Sequence, residues 1–254
     1  MKTASNRLGL AGFKLIVAVL LGAGSHSPGT AADKKEAQPP AETVPMHPPA
    51  RTPEAQATIS PQQALAKLRS GNARFIAGIS QVRNLPAKVR ATSASQYPFA
   101  VIVSCVDSRQ PVELIFDQGI GDVFNARIAG NVLNDDIAGS LEFACKVSGA
   151  KLILVLGHSN CGAIKGAVDG VELGKLTGLL AKIKPAIAQV PGSEPRTSKN
   201  SDFVEKVAEA NVHLVMAQIR QQSSILREML DEGKIGVVGG MYELSTGEVH
   251  FFEK

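Results

Sequence analysis

Two unbroken apolar runs stand out along the chain, FAVIVS at 99–104 and KLILVL at 151–156. Runs of this length, rich in β-branched residues, predict strands buried on both faces of a parallel sheet. Weaker strand patterns lie at 122–128 and 235–238, and the closing MYELSTGEVHFFE predicts a hairpin-like tail. Between the strands the apolar positions shift to helical spacing. Ile137, Leu141, Ala144 and Cys145 make one face, a second pattern covers 173–190, and the longest covers 202–230 before a stop at Gly233. Strands alternating with helices imply right-handed crossovers. The expected fold is α/β, a mostly parallel central β-sheet flanked by helices. No internal repeat or glycine-rich dinucleotide fingerprint interrupts this pattern.

Ahead of the first strand, Ser60, Pro61 and Gln63 form a helix-start signal of cap, first-turn proline and capping-box glutamine. Leu65, Leu68, Phe75 and Ile76 mark one face of the helix that follows, an N-terminal helical arm. Residues 33–59 hold six prolines and hardly any large aliphatic side chain. That composition predicts a disordered, semi-extended linker. Residues 1–32 carry Lys2, Arg7 and Lys14, then an apolar run over 15–24, then small residues. This is the layout of a cleaved signal peptide, because the run is far shorter than the roughly 20 residues that span a bilayer. The chain is therefore expected to be exported, to the periplasm, with no stable membrane insertion after cleavage. The folded domain is expected at 60–254.

Composition adds little beyond a globular class: 44% hydrophobic and 20% charged residues over 254 positions. The net charge of +4 suggests a nucleic-acid partner until its location is considered. Removing residues 1–32 takes away three basic and no acidic side chains, leaving 24 Lys and Arg against 23 Asp and Glu. A net charge of +1 withdraws that suggestion.

Chemistry gathers at the carboxyl ends of the two strongest strands, where open α/β sheets bind ligands. The first end reads Cys105, Val106, Asp107, Ser108, Arg109; just past the second come His158, Ser159, Asn160, Cys161, Gly162. Two thiolates and one imidazole are favoured zinc ligands, and three ligands leave a fourth position for water, as catalytic sites require. Asp107 is placed either to take that fourth position or to accept a hydrogen bond from the water, with Arg109 holding its carboxylate through a bidentate fork. Two thiolates leave such a centre formally neutral, so its water should be less acidic than on a three-histidine site and activity should rise toward alkaline pH. Other readings of the same residues are a disulfide between Cys105 and Cys161, a structural zinc site, or a plain Asp107–Arg109 ion pair. Cys145 reads as core.

These residues closely resemble the β-class carbonic anhydrases: CVDSR at 105–109, GDVFNARIAGN at 121–131, GSLEFA at 139–144 and GHSNCGA at 157–163, in the same order and spacing. The resemblance runs from about residue 60 to the end of the chain. It implies one Zn²⁺ per subunit on Cys105, His158 and Cys161, and an Asp107–Arg109 dyad that orients zinc hydroxide for attack on carbon dioxide, giving bicarbonate and a proton. It also implies a homodimer, or dimers paired into tetramers, with the arm lying across the neighbour and the pocket shared between subunits. Gln96, Phe124 and Ala129 map to pocket positions, with Gly162 beside them. Ile137 replaces a tyrosine of some relatives, and Asn125 and Ala126 replace an apolar pair. A hydrolase of carbonyl sulfide or carbon disulfide on the same scaffold, and a non-catalytic zinc or thiol module, are the alternatives.

Overall fold

A computed structural model of the chain describes residues 50–192 and 195–252. The expected signal at 1–32 and the linker up to residue 49 lie outside the described residues. The predicted strands all form: β1 (Ala100–Ser104), β2 (Val123–Arg127), β3 (Leu152–His158), β4 (Gly236–Tyr242) and β5 (Val249–Phe251). Their order in the sheet is β2-β1-β3-β4-β5, with β1 to β4 parallel and β5 antiparallel to β4.

The unbroken apolar runs divide by parity, because successive side chains of a strand point to opposite faces. Val101, Val103, Ile153 and Val155 face one layer, while Ala100, Ile102, Leu152, Leu154 and Leu156 face the other. The helices that cover these faces are, in chain order, α1 (Pro53–Ala57), α2 (Pro61–Ile76), α3 (Leu85–Thr92), α4 (Val112–Ile115), α5 (Asp135–Glu142), α6 (Gly162–Val168), α7 (Gly174–Ala181), α8 (Lys184–Gln189), α9 (Ser201–Gln222) and α10 (Ser224–Asp231). Val212, Val215 and Ile219 of α9 pack on the first face with Ile137 and Leu141 of α5; Ala64 and Leu68 of α2 pack on the second with Val112 and Ile115 of α4.

Four expectations need correction. Order does not wait for Ser60: Thr52 caps α1 inside the proline-rich stretch, and the buried Gln56 donates 2.7 Å hydrogen bonds to the carbonyls of Pro98 and Ser148. The long pattern at 202–230 is two helices, because Ser223 turns extended, accepts the Leu226 N–H and donates to Glu142 at 2.6 Å. Residues 173–190 likewise divide into α7 and α8, with Pro185 in the first turn of the second. The Ser60 start holds in full, a reciprocal capping box with Gln63. Ile76, expected on the inner face of that helix, is half exposed.

The arm is fastened to the domain by close packing and buried polar groups. A Cβ at Gly71 would lie 1.8 Å from the Phe116 carbonyl oxygen, so only glycine lets α2 approach the end of α4. Asn72 beside it donates to the Ile115 and Gly247 carbonyls and accepts the Val249 N–H.

Asp117, buried and at positive φ, accepts from Arg74, Arg83 and the Gln81 N–H. Burial alone would raise its pKa, but these hydrogen bonds outweigh it and hold the carboxyl below the usual range. A depressed folded-state pKa means the stability it contributes is complete above the unfolded value near pH 4 and is lost as pH falls through the folded one. Asp117→Asn is expected to cost about 3 kcal/mol at pH 7. It should also flatten the decline of the urea midpoint between pH 5 and pH 3.

Candidate metal centre

The carboxyl ends of β1 and β3 bring together the residues that the sequence singled out. The ligand atoms of Cys105, His158 and Cys161 all lie within 4.8 Å of one another, and all three residues are buried. His158 is the last residue of β3 rather than the start of the loop, so the strand ladder fixes its backbone against Tyr242 of β4. Its Nδ1 lies 2.9 Å from the Ser159 carbonyl, which fixes the tautomer with the proton on Nδ1. Nε2 then carries the lone pair, and it is buried without a hydrogen-bond partner. An orphaned imidazole nitrogen facing two sulfurs fits a zinc ion. All three cysteines are free, so Cys105 and Cys161 do not form the alternative disulfide.

The two sulfurs already behave as a pair. A hydrogen bond from Cys161 brings the Cys105 thiol down to about 4, and the same bond pushes Cys161 well above the ordinary thiol range. A divalent ion binds them as thiolates, so its binding releases protons. The Gly130 N–H also donates to the Cys105 sulfur at 3.3 Å. Gly130 sits at φ +68, and a Cβ there would lie 2.9 Å from Ile183. Burial disfavours a charged His158, yet the adjacent Cys105 sulfur outweighs it and raises its pKa.

Asp107 stands beside this cluster, its Oδ2 3.9 Å from His158 Nε2. Arg109 grips it with the expected fork, Nε to Oδ1 at 2.9 Å and a terminal nitrogen to Oδ2 at 2.8 Å, and its own N–H donates to Oδ1 at 3.0 Å. These bonds hold the Asp107 carboxyl far below the usual carboxylate range. In this state the carboxylate belongs to Arg109, leaving the fourth position beside the three ligands free of it.

Several supporting residues were not anticipated. Gln110, fully buried, accepts the Cys105 N–H at 2.9 Å and donates to the Gly157 carbonyl at 3.2 Å, tying the two ligand loops together. Arg127 donates to the Cys105 and Asp107 carbonyls at 3.0 and 2.6 Å. Asn160, at φ +59 between the second pair of ligands, gives its N–H to Glu205 at 2.7 Å. Both Gln110 and Arg127 lie inside the quoted motifs or next to them, but nothing in spacing distinguishes a residue that holds a ligand's backbone from one that touches substrate.

The pocket positions divide. Ala129 and Gly162 adjoin the ligands, next to Gly130 and Cys161. Gln96 and Phe124 lie toward the amino ends of β1 and β2, away from the ligands. Gln96 is exposed ahead of β1, and Phe124 pairs with Val101, four strand residues or about 13 Å short of Cys105. Asn125, one of the departures from the apolar pattern, accepts a 2.9 Å hydrogen bond from the Ser104 hydroxyl.

Residues 100–249 match the family model described as carbonic anhydrase. The chain belongs to the β-class carbonic anhydrases. It is 36% identical over 194 residues to carbonic anhydrase 2 of Mycobacterium tuberculosis, covering 74% of this chain and 91% of that one. Among solved structures, the β-carbonic anhydrase CafA of Aspergillus fumigatus superposes with a TM-score of 0.59 at 26% identity, over 76% of this chain and 90% of that one. A structure reported for two tetrameric β-carbonic anhydrases of Sordaria macrospora shares the fold at 24% identity and a TM-score of 0.58, over 76% of this chain and 96% of that one. Membership of the β-class makes the reaction the zinc-dependent hydration of carbon dioxide. The carbonyl sulfide hydrolase and the thiol module find no support in these matches. Among the described residues, no helix is long and apolar enough to cross a membrane.

Proposed function

We propose that Cys105, His158 and Cys161 hold one zinc ion per subunit and that Asp107, positioned by Arg109, directs the hydration of carbon dioxide beside it. The observation that carries this reading is the convergence of three ligand atoms within 4.8 Å next to a forked carboxylate. Bound there, zinc would supply the Lewis acid that makes water nucleophilic, at a more alkaline pH than on a three-histidine site. Asp107 does the orienting. Held ionised by Arg109, it can only accept a hydrogen bond, so a water O–H directed at Oδ2 leaves a lone pair pointing away, toward the carbon of the substrate. Arg109 keeps the carboxylate from swinging onto the metal. Ala129 and Gly162 border the space where carbon dioxide sits, and Gly162 offers no side chain to obstruct it.

A second copy of the chain completes the pocket in this reading. The supporting feature is β2, an edge strand whose Phe124 meets the half-exposed Phe143 edge-on at 6.1 Å, above a cavity of about 760 Å³. An open edge beside an exposed aromatic ring seeks a partner. Gln96 and Phe124 then serve the neighbour's site within a homodimer or a tetramer. The basic, apolar and small-residue layout of 1–32 supports export to the periplasm, and N-terminal sequencing of the periplasmic protein reads the cleavage directly.

The reading is tested by stopped-flow hydration of carbon dioxide before and after treatment with a zinc chelator. Activity should vanish with the metal and return with added zinc. Hydration that survives complete removal of the metal overturns it.

A further inference from the structure

A second polar cavity, of about 360 Å³, lies at the amino end of the sheet, away from the metal ligands. Its wall carries five cationic side chains and two carboxylates, Asp117 and Asp122, a local balance of +3. Asp117 is taken up by Arg74 and Arg83, as described above. Asp122, just ahead of β2, gives one oxygen to the Gly119 N–H at 2.8 Å. Its other oxygen faces Arg51 and Lys88, each 3.7 Å away and beyond hydrogen-bond range. Lys67 adds the fifth positive charge without an acidic partner in the cavity.

Lys88 is the informative residue. Its side chain is only 9% exposed, and among the described residues its ammonium makes no hydrogen bond. Arg51 repeats the pattern. Its guanidinium lies 4.9 Å over the Phe99 ring, and its Nε is buried without an acceptor. The Lys88 nitrogen opens onto the cavity, where the three donors of an ammonium call for acceptors. Water could meet the donors, but it leaves the excess of three positive charges in place. An anion answers both.

We propose that this cavity binds a small, multiply charged oxyanion of the phosphate class, held by Lys88 and Arg51 with Lys67 and Arg74 at its rim. Arg51 precedes α1, Lys67 and Arg74 lie on α2, and Lys88 lies on α3, so the anion ties three segments of the arm to the amino end of the sheet. Charge-assisted hydrogen bonds to several oxygens suit a ligand that carries about 1.5 to 2 negative charges at neutral pH.

The test is calorimetric titration of the full-length, zinc-loaded protein with inorganic phosphate at constant ionic strength. One saturable site per chain is expected. Lys88→Met, which keeps the apolar stem and loses the ammonium, should weaken binding at least tenfold and leave carbon dioxide hydration at the wild-type rate. Arg51→Gln, at the more exposed of the two holding cations, should weaken it similarly and keeps the test open if Lys88→Met folds poorly. Asp122→Asn removes the competing carboxylate and should tighten binding several-fold. Phosphate that binds both cation variants as it binds the wild type has its site elsewhere, the metal included, and the proposal falls. It falls equally if the wild type shows no saturable binding or if Asp122→Asn weakens it.

Discussion

His158→Ala is expected to leave a folded protein that neither retains zinc nor hydrates carbon dioxide above the uncatalysed rate. The imidazole Nε2 is buried, has no hydrogen-bond partner and faces two sulfurs, so the only hydrogen bond the substitution removes is the local one from Nδ1 to the Ser159 carbonyl. The strand ladder around it is backbone, running through Gly157 and His158 of β3 to Met241 and Tyr242 of β4, and it persists with alanine. Without the imidazole only two ligands remain. Losing a mere supporting hydrogen bond to a ligand typically costs about 10–100-fold in metal affinity, and losing the ligand itself costs more. Zinc content after dialysis, measured beside stopped-flow hydration, checks both halves. A His158→Ala protein that keeps one equivalent of zinc and near-wild-type turnover would remove His158 from the centre.

How far this centre was legible from sequence differs residue by residue. Cys105, His158 and Cys161 were readable because strand ends are readable: unbroken apolar runs mark buried parallel strands, and the residues just after them are confined to one rim of the sheet. Asp107 and Arg109 followed from being two and four residues further on. His158 itself falls inside β3, since the ladder to β4 extends two residues past the visible apolar run, through Gly157 and His158.

Other features rest on contacts that no local pattern encodes. Gln56 is buried in a proline-rich stretch because its amide meets carbonyls 42 and 92 residues away. The break between α9 and α10 depends on Ser223 finding Glu142, 81 residues distant, while apolar spacing runs straight through it. Within α5 and beyond, the apolar face at Ile137, Leu141, Ala144 and Cys145 is correct, but the backbone widens to a π-helical turn at Phe143–Val147 that spacing cannot anticipate. Gln96 and Phe124 came from the resemblance, which carries residues over by position along the chain, and they lie toward the amino ends of β1 and β2, as a pocket shared between subunits allows.

The same geometry separates holding the metal from using it, and Asp107→Asn is where the two come apart. This protein should keep its full zinc content, because the three ligands and their supports, the Gly130 N–H on Cys105 and the Ser159 carbonyl on His158, are untouched. Its turnover should nevertheless fall roughly 10²–10³-fold, the usual cost of removing one group aimed at the reacting atoms. Asparagine keeps the shape of the side chain but presents an N–H₂ to one arm of the Arg109 fork, where the carboxylate accepted bonds of 2.9 and 2.8 Å. The fork therefore breaks on one side, and the oxygen 3.9 Å from His158 Nε2 loses both its charge and its fixed direction. Because Arg109 holds the wild-type carboxyl ionised far below neutrality, acidifying the assay from pH 8 to pH 6 should not mimic the variant. Any loss of wild-type activity over that range comes from a different group. Turnover and bound zinc measured on one preparation decide the matter: full zinc with unchanged hydration would show that Asp107 only braces the loop, and parallel loss of both would make it a ligand.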